Sequence, residues 1–411
     1  MSGARAAHRL VTLLLAATVA LVALAAACNE PARPPADASP TPAASPAGTA
    51  TPMPSPSPVP PPPGPVRLNH IQVVGTHNSY HVEPGDALLG VVRRYLPQLT
   101  ATLQYTHVAL ARQLEEQSMR SLELDVFADP VGGLFADPAG RRVAGLPNPP
   151  SPLLLGPGFK VLHIQDLDTG TTCYTLMTCL HEVRTWSVMH PGHVPIVILI
   201  EAKDDPIPDL LGLGLVTPHL VGTAELDALD AEVRAVFEPG RLVTPDDVRG
   251  QRGTLEEAVL RDGWPEVAAA RGKVMFVLIN GGSIRDAYRA GRPSLEGRVM
   301  FTVSTPGQPD AAFIKRDDAL TQAAAIRELV AAGYMVRTRA DADTSEARSG
   351  ETAMRTAALS SGAQVVSTDY PASDARWATG YSVTLGNGLA ARCNPVLAPV
   401  TCADDGLDLA R

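Results

Sequence analysis

Eight short apolar runs rich in β-branched residues recur along the chain from residue 66 onward. Most of them are continuous rather than alternating, which is typical of parallel strands that are buried on both faces. The predicted strands cover residues 70–75, 121–127, 160–165, 194–202, 273–279, 298–304, 334–339 and 363–368.

Helical periodicity or strong helix formers fill several of the intervals, at 86–117, 224–237, 319–332 and 346–361. Eight strands with intervening helices over about 300 residues predict an α/β fold of the TIM-like (β/α)8 barrel type. An open doubly wound sheet is the alternative. No glycine-rich phosphate-binding turn follows the first predicted strand, and this disfavours the open sheet.

The first residues have the layout of an export signal. Arg5 and Arg9 give a positive start, an apolar run covers 10–27, and small residues precede Cys28. This order is typical of a signal peptide. The end of the run also resembles a bacterial lipobox, although Ala25 stands where leucine is usual. Plain secretion and an uncleaved anchor are the alternatives, because the run approaches the ~20 residues that span a bilayer.

Residues 29–65 consist almost entirely of Pro, Ala, Ser and Thr. Such a segment buries too little apolar surface to offset its ordering entropy, so we expect a disordered linker. The predicted organisation is a signal peptide with a lipobox (1–28), a linker (29–65) and one barrel domain (66–411). The domain is expected outside the cytoplasm, either secreted or lipid-anchored at the cell surface.

The cysteines agree with export. Four remain after Cys28, and an even number in an exported chain predicts disulfides. Three pairings are possible, of which the local one, Cys173–Cys179 with Cys393–Cys402, is favoured because each bond closes a short loop. A zinc site is the alternative, but neither pair has the CxxC spacing of common structural sites.

The net charge of the chain is −9. An acidic chain is a poor partner for nucleic acid, whose phosphates favour basic surfaces. It also disfavours strong electrostatic docking on an anionic membrane. The oligomeric state is left open by the sequence.

Polar residues close several of the predicted strands. In a TIM barrel the catalytic groups lie at the carboxyl ends of the strands. His77 and Asn78 follow the first strand, and Glu123 and Asp125 lie two apart in the second, hence on one face. The other candidates are His163 in the third strand, Glu201 and Lys203 at the end of the fourth, and Arg339 at the end of the seventh.

Ionised groups within apolar strands are costly unless they are paired or bound to a metal. Glu123, Asp125 and Glu201 lie on strands that should converge, and a divalent cation would relieve their repulsion. Together with the amide oxygen of Asn78 they form a hard oxygen set, which suits calcium or magnesium rather than zinc.

Two histidines complete this set. His77 and His163 can exchange protons or stabilise an anion near neutral pH. A metal that activates a hydroxyl, a carboxylate base and two histidines fit the cleavage of a phosphodiester.

These motifs resemble those of the bacterial calcium-dependent phosphatidylinositol-specific phospholipases C. Gly-Thr-His-Asn-Ser-Tyr at 75–80 is similar to the first catalytic-strand motif of phosphoinositide phospholipases C. Glu-Leu-Asp at 123–125, Leu-His at 162–163 and Ile-Glu-Ala-Lys at 200–203 follow in the order of the family. The likeness runs over residues 68–380.

The resemblance implies a cofactor and a role for each residue. Calcium would be bound by Asn78, Glu123, Asp125 and Glu201, and Glu123 or Glu201 would be the base for the inositol 2-hydroxyl. The remaining implied roles are transition-state stabilisation by His77, protonation of the diacylglycerol leaving group by His163, and substrate contact by Lys203. The products would be diacylglycerol and a cyclic or linear inositol phosphate, from a phospholipid at a membrane surface.

Some features depart from the eukaryotic enzymes. The chain has no pleckstrin-homology, EF-hand or C2 module and no basic cluster, which favours plain phosphatidylinositol over multiply phosphorylated lipids. Arg337 to Thr344 resembles glycerophosphodiester phosphodiesterases, and on this ground Arg339 is expected to bind substrate phosphate.

Two other functions stay open. One is a glycerophosphodiester or sphingomyelin phosphodiesterase, but these tend to have Arg after the first His and a second His soon after it. This chain has Asn78 and only His81, which is expected at the rim of the barrel. The other is a surface lipoprotein that binds a head group without turnover, against which the complete catalytic set argues.

Overall fold

The computed structural model describes residues 64–209 and 212–410. The predicted signal segment, Cys28 and nearly all of the predicted linker lie outside these residues, so the domain limits remain predictions. Within the described part, no helix has both the length and the apolar character needed to cross a membrane.

Eight parallel strands form a nearly closed barrel, which confirms the predicted fold class. They follow one another in chain order, and a parallel bridge between Val303 and Phe313 lies at the seam between the sixth and seventh barrel strands. Two short strands, β3 and β10, pair antiparallel with β2 and β1. The strands are β1 (Ile71–Thr76), β2 (Ser121–Phe127), β3 (Lys160–Val161), β4 (Ile196–Ala202), β5 (Val274–Leu278), β6 (Met300–Thr302), β7 (Phe313–Asp318), β8 (Met335–Arg339), β9 (Val365–Thr368) and β10 (Arg392–Cys393).

Helices surround the barrel. The predicted helical stretch 86–117 is divided into two helices, and the stretch 346–361 is divided at Gly350, whose φ of 77° is left-handed. The helices are α1 (Asp86–Tyr95), α2 (Leu110–Glu116), α3 (Ala139–Val143), α4 (Leu176–Met189), α5 (Thr223–Val236), α6 (Pro245–Arg249), α7 (Leu255–Arg261), α8 (Val267–Ala270), α9 (Gly282–Tyr288), α10 (Ala319–Ala332), α11 (Ser345–Ser349) and α12 (Ala353–Ser360).

One barrel strand differs from the sequence-based prediction. The run 160–165 is not a barrel strand, because only Lys160–Val161 is extended and it pairs antiparallel with the end of β2. The missing strand is β7, with the sequence FIKRDD. It escaped notice because four of its six residues are charged. In a barrel whose interior carries charge near the strand ends, such a sequence still forms a strand.

The four cysteines in the described part form the two local disulfides, as the short loops predicted. Cys173 is bonded to Cys179 and Cys393 to Cys402, with Cα–Cα distances of 5.2 and 6.0 Å. The bonded sulfurs are not available for a zinc site. Disulfides form and persist in oxidising compartments, in agreement with the predicted export.

A buried ion pair fastens the C-terminal segment to the amino ends of the strands. Arg120, directly before β2, is 2% exposed, and its Nε lies 2.7 Å from Asp408 Oδ2. Asp408 Oδ2 also accepts from the backbone N–H of Val194, next to β4. Burial alone would raise the pKa of Asp408, but Arg120 outweighs it and lowers that pKa.

We expect Asp408→Ala to destabilise the domain by about 3–5 kcal/mol, because it leaves the buried guanidinium of Arg120 without its counter-ion. The measurement is the free energy of unfolding in urea. Asp405→Ala, an exposed neighbour, is the matched control and should change little. Equal stabilities of the two variants would contradict the importance of the pair.

Candidate active site and metal centre

The first motif positions two candidate residues at the carboxyl end of β1. Gly75 allows β1 and β2 to approach, since a Cβ there would lie 2.3 Å from Ser121 Cβ. Ser79 then joins the two strands: its N–H donates to Glu123 O at 2.9 Å, and its hydroxyl accepts from Glu123 N–H at 2.8 Å. His77 is therefore held beside the carboxylate of Glu123, with its Nε2 3.8 Å from Glu123 Oε1, and Asn78 follows it at the end of β1.

Asn78 has the conformation and surroundings of a ligand residue. Its φ is 43°, a left-handed value that asparagine tolerates better than most residues. The side-chain NH₂ donates to Tyr105 OH at 3.2 Å. The amide oxygen Oδ1 is buried and accepts no hydrogen bond from the described residues. A buried acceptor without a protein partner is available to a bound ligand or to a water molecule.

The three predicted carboxylates converge. One oxygen each of Glu123, Asp125 and Glu201 lies within 4.8 Å of the others. Asp125 and Glu201 are register partners on β2 and β4. Burial raises the pKa of Asp125 to about 7, with Glu201 and Glu123 adding to the shift and Lys203 opposing it.

The residues present fit a calcium ion. Asp125 Oδ1, like Asn78 Oδ1, is buried without a hydrogen bond from the described residues. All donors in this group are carboxylate or amide oxygens, the ligands that calcium prefers. The fit rests on these two unpartnered oxygens beside two further carboxylates, in a mouth where water and substrate could complete the shell.

Cations of the protein itself compensate the acidic group. Arg337 on β8 is 1% exposed and donates to Glu123 Oε2 at 2.7 Å, to Ser367 Oγ at 3.0 Å and to Asp317. Lys203 Nζ lies 3.2 Å from Asp125 Oδ2 and 3.4 Å from Glu201 Oε1. Asp317 belongs to the unpredicted strand β7, so that strand contributes to the site.

His77 is oriented by a carboxylate after β9. Its Nδ1 lies 2.8 Å from Asp369 Oδ1, and its Nε2 lies 3.8 Å from Glu123 Oε1 and 3.5 Å from an Arg339 nitrogen. Arg339 also donates to Asp369 Oδ2 at 2.9 Å. Burial would raise the pKa of Asp369, but His77 and Arg339 outweigh it and lower that pKa. An ionised Asp369 accepts from Nδ1–H and leaves Nε2 facing the acidic group.

His163 lies in the loop after β3, not at the end of a barrel strand, although it reaches the same mouth. Its Nδ1 lies 2.7 Å from Asp168 Oδ2, and His81 Nε2 lies 2.9 Å from the same oxygen. Burial lowers the pKa of His163, and Asp168 opposes that shift without cancelling it. Burial would also lower the pKa of His81, but Asp168 outweighs it and the pKa is raised.

The structure thus brings every predicted site residue to one end of the barrel. The prediction that His81 lines the rim is wrong, because its side chain is fully buried and stacks on Tyr105 with ring centroids 4.2 Å apart.

Sequence reasoning gave no role to several residues that contact the predicted ones. The sequence could have indicated a role for Asp369, because this residue directly follows strand β9. The residues without an assigned role are Asp168, Asp317, Arg337 and Tyr105.

Comparison with known proteins gives one family match. Residues 66–395 match the family model described as phosphoinositide phospholipase C, Ca2+-dependent. A search of the curated proteins finds no relative that matches the chain.

Two solved structures similar to this chain are bacterial. One is a calcium-dependent phosphoinositol-specific phospholipase C from Pseudomonas sp., with 18% identity, a TM-score of 0.48, and coverage of 80% of this chain and 95% of that one. The other is a calcium-dependent phosphatidylinositol-specific phospholipase C from Streptomyces antibioticus, with 20% identity, a TM-score of 0.47, and coverage of 74% and 95%. The family match extends over most of this sequence, and the chain therefore belongs to the calcium-dependent phosphoinositide phospholipase C family.

Proposed function

We propose that this enzyme cleaves the glycerol–phosphate bond of phosphatidylinositol and releases diacylglycerol and a cyclic inositol phosphate, which water can open to the linear form. The observation that carries the proposal is the pair of carboxylate-bound histidines beside an oxygen-donor group with two unpartnered oxygens. Such an arrangement has the groups required to deprotonate a hydroxyl, offset phosphoryl charge and protonate a leaving oxygen.

Asn78, Glu123, Asp125 and Glu201 would hold calcium. When bound there, calcium would lower the pKa of the attacking hydroxyl and offset charge on the phosphoryl oxygens. Of the two candidate bases, Glu201 is the better placed, because its side chain is 25% exposed whereas that of Glu123 is 2% exposed and contacts Arg337. Glu201 therefore takes the proton of the inositol 2-hydroxyl, whose oxygen attacks phosphorus.

His77 and Arg339 would bind the phosphoryl group during this attack. Asp369 contacts both side chains, so it fixes the imidazole and the guanidinium as one unit. The Nε2–H of a protonated His77 and the Arg339 N–H groups can donate to the phosphoryl oxygens as negative charge develops. Lys203 at the mouth supplies a third donor to the substrate phosphate.

His163 would complete the reaction. The bond from phosphorus to the glycerol oxygen breaks, and the protonated imidazole gives that oxygen its proton, so diacylglycerol leaves as a neutral alcohol. Asp168 orients the ring through Nδ1 and directs Nε2 toward the mouth. His81 Nε2 lies 2.9 Å from the same oxygen of Asp168 and helps to hold this carboxylate in place.

An exposed apolar rim supports docking on a lipid surface. In the loop between β2 and β3, Val131 is 84% exposed, Leu155 57% and Leu153 46%. Gly133 N–H donates to Leu154 O at 3.0 Å, so the two arms of this loop lie side by side. Because the loop follows the carboxyl end of β2, the rim borders the mouth. Exposed apolar side chains grouped in this way mark interaction sites.

Location at the cell surface is part of the proposal. Lipidation of Cys28 and a flexible linker over 29–65 would keep the domain near lipid bilayers. Both features rest on the sequence, since these residues lie outside the described part.

The first prediction concerns the reaction and its metal. The full chain should release water-soluble inositol phosphate from phosphatidylinositol vesicles in calcium and none in chelator. His77→Ala should lower the rate by about 10²–10⁴-fold, because it removes a donor to the phosphoryl group.

His190→Ala, at the end of α4, is the control and should keep full activity. Activity that survives chelation would show the metal assignment to be wrong. Cleavage of glycerophosphodiesters or sphingomyelin alone would leave the site intact and overturn the substrate.

The second prediction concerns pH. His163 must be protonated to act, so activity falls as pH rises through its pKa. Asp168 stabilises the protonated ring, and Asp168→Asn lowers the pKa of His163 further. The alkaline limb of the kcat profile should therefore move to lower pH, and kcat at pH 7 should fall about 10²-fold.

Asp310→Asn removes a buried carboxylate that contacts Arg289 and Thr302, and none of the histidines in the described part of the chain. It is the control and should keep the wild-type pH profile. An unchanged alkaline limb in Asp168→Asn would contradict the role of His163 as acid.

The third prediction concerns the rim. Leu155→Glu should reduce binding to phosphatidylinositol vesicles and hydrolysis there by about ten-fold, because burying a charge in lipid is costly. Hydrolysis of a soluble inositol cyclic phosphate should be unchanged. Met189→Glu, 64% exposed at the end of α4, is the control. Equal vesicle binding by the two variants would exclude the rim as the docking surface.

A further inference from the structure

Lys203 occupies an unusual place for a substrate-binding residue. Its ammonium contacts two groups of the proposed metal site, 3.2 Å from Asp125 Oδ2 and 3.4 Å from Glu201 Oε1. Its backbone N–H donates to Val126 O at 2.8 Å and continues the pairing of β4 with β2. The main chain is thus fixed, while the long side chain reaches back over the acidic group.

The two cations of the acidic group differ in freedom. Arg337 is 1% exposed and is held by Glu123, Asp317 and Ser367, so it is a permanent part of the barrel interior. The side chain of Lys203 is 21% exposed at the mouth. Rotation about its four side-chain bonds can move the ammonium into solvent without a change in the barrel. Lys203 is therefore the cation that can leave.

We propose that Lys203 is an internal counter-cation that occupies Asp125 and Glu201 in the absence of calcium and competes with calcium for them. The proposal rests on the metal site named under the proposed function. It adds that the protein has two states of this group, one neutralised by its own lysine and one by the metal.

The geometry supports competition rather than cooperation. Lys203 contacts Asp125 through Oδ2, while Oδ1 of the same carboxylate remains without a partner among the described residues. Calcium arriving at Asp125 Oδ1 and Asn78 Oδ1 would meet the ammonium at Glu201, and like charges at such distances repel. The lysine must leave before the Glu201 oxygen can join the metal.

Two consequences follow from this exchange. In the metal-free protein, the Lys203 ammonium offsets the repulsion between the carboxylates, and the protein stays folded. The same ammonium weakens the affinity for calcium. In addition, the displaced ammonium lies at the mouth and becomes available to the substrate phosphate. Calcium binding thereby delivers the third phosphate donor, and substrate binding is coupled to the metal through one residue.

A charge-removing variant tests the proposal without an activity assay. Calcium binding to the full chain is measured by calorimetry for wild type and for Lys203→Met. We expect the dissociation constant of Lys203→Met to be lower by about ten-fold, because a competing positive charge is gone. Lys273→Met, which removes the same charge before β5 at the opposite end of the barrel, should bind calcium as wild type does.

Thermal unfolding provides the second readout. In chelator, Lys203→Met should melt below wild type, because three carboxylates lose one counter-ion, and its rise in Tm on adding calcium should be the larger. Lys203→Arg keeps a positive charge and should retain the weak calcium affinity of wild type. This control shows that the change in Lys203→Met comes from the lost charge and not from a general folding defect.

The outcomes separate the two proposals. A wild-type protein that binds no calcium would overturn the metal site itself and this inference with it. A wild-type protein that binds calcium, with Lys203→Met equal to Lys273→Met or weaker, would overturn the inference alone. That result would mean that Lys203 holds the carboxylates of Asp125 and Glu201 in place for the metal.

Discussion

The mutual repulsion of Glu123, Asp125 and Glu201 at one end of a parallel barrel is the constraint on which the site depends. Carboxylates buried this closely are stable only when positive charge lies among them. Arg337 provides part of it from β8, and Asp317 on β7 fixes the arginine in turn. The site therefore explains Asp317 in the charged sequence of β7, because this carboxylate supports the arginine that offsets the repulsion within the acidic group.

The second principle of the site is that carboxylates orient its histidines. Asp369 and Asp168 each accept from the Nδ1 of one histidine, so His77 and His163 present Nε2 to the mouth. The four residues come from three separate segments of the chain, because His163 and Asp168 share the loop after β3, and the barrel brings these segments together. Buried carboxylates fix the ring tautomer and stabilise the charged ring, which is what proton transfer at a phosphodiester requires.

The sequence predicted the barrel and the position of the candidate residues at its mouth well, because both leave local signals. Continuous apolar runs revealed seven of the barrel strands, and polar residues within or directly after them revealed His77, Asn78, Glu123, Asp125 and Glu201. The failures were of a different kind. Strand β7 has four charged residues, and the distant partner of Asp317, Arg337, cannot be recognised from the local sequence. In the run at 160–165, only Lys160 and Val161 are extended, and they pair with β2 outside the barrel.

Partners distant in sequence also explain what was missed in the site. Asp168 lies in a loop and has meaning only through His163 and His81, which lies 87 positions away from it. His81 was expected at the rim, since nothing in its neighbourhood shows that Asp168 and Tyr105 enclose it. Burial of a polar residue among partners from other segments cannot be read from periodicity alone.

The central claim is that one calcium ion binds where Asn78 and the three carboxylates converge. Crystals of the protein grown in calcium, or in a lanthanide in its place, would test it by anomalous diffraction. The account predicts a single strong peak in contact with Asn78 Oδ1 and Asp125 Oδ1, the two buried oxygens without partners. A peak elsewhere, or none at saturating metal with Lys203 still on Glu201, would contradict it.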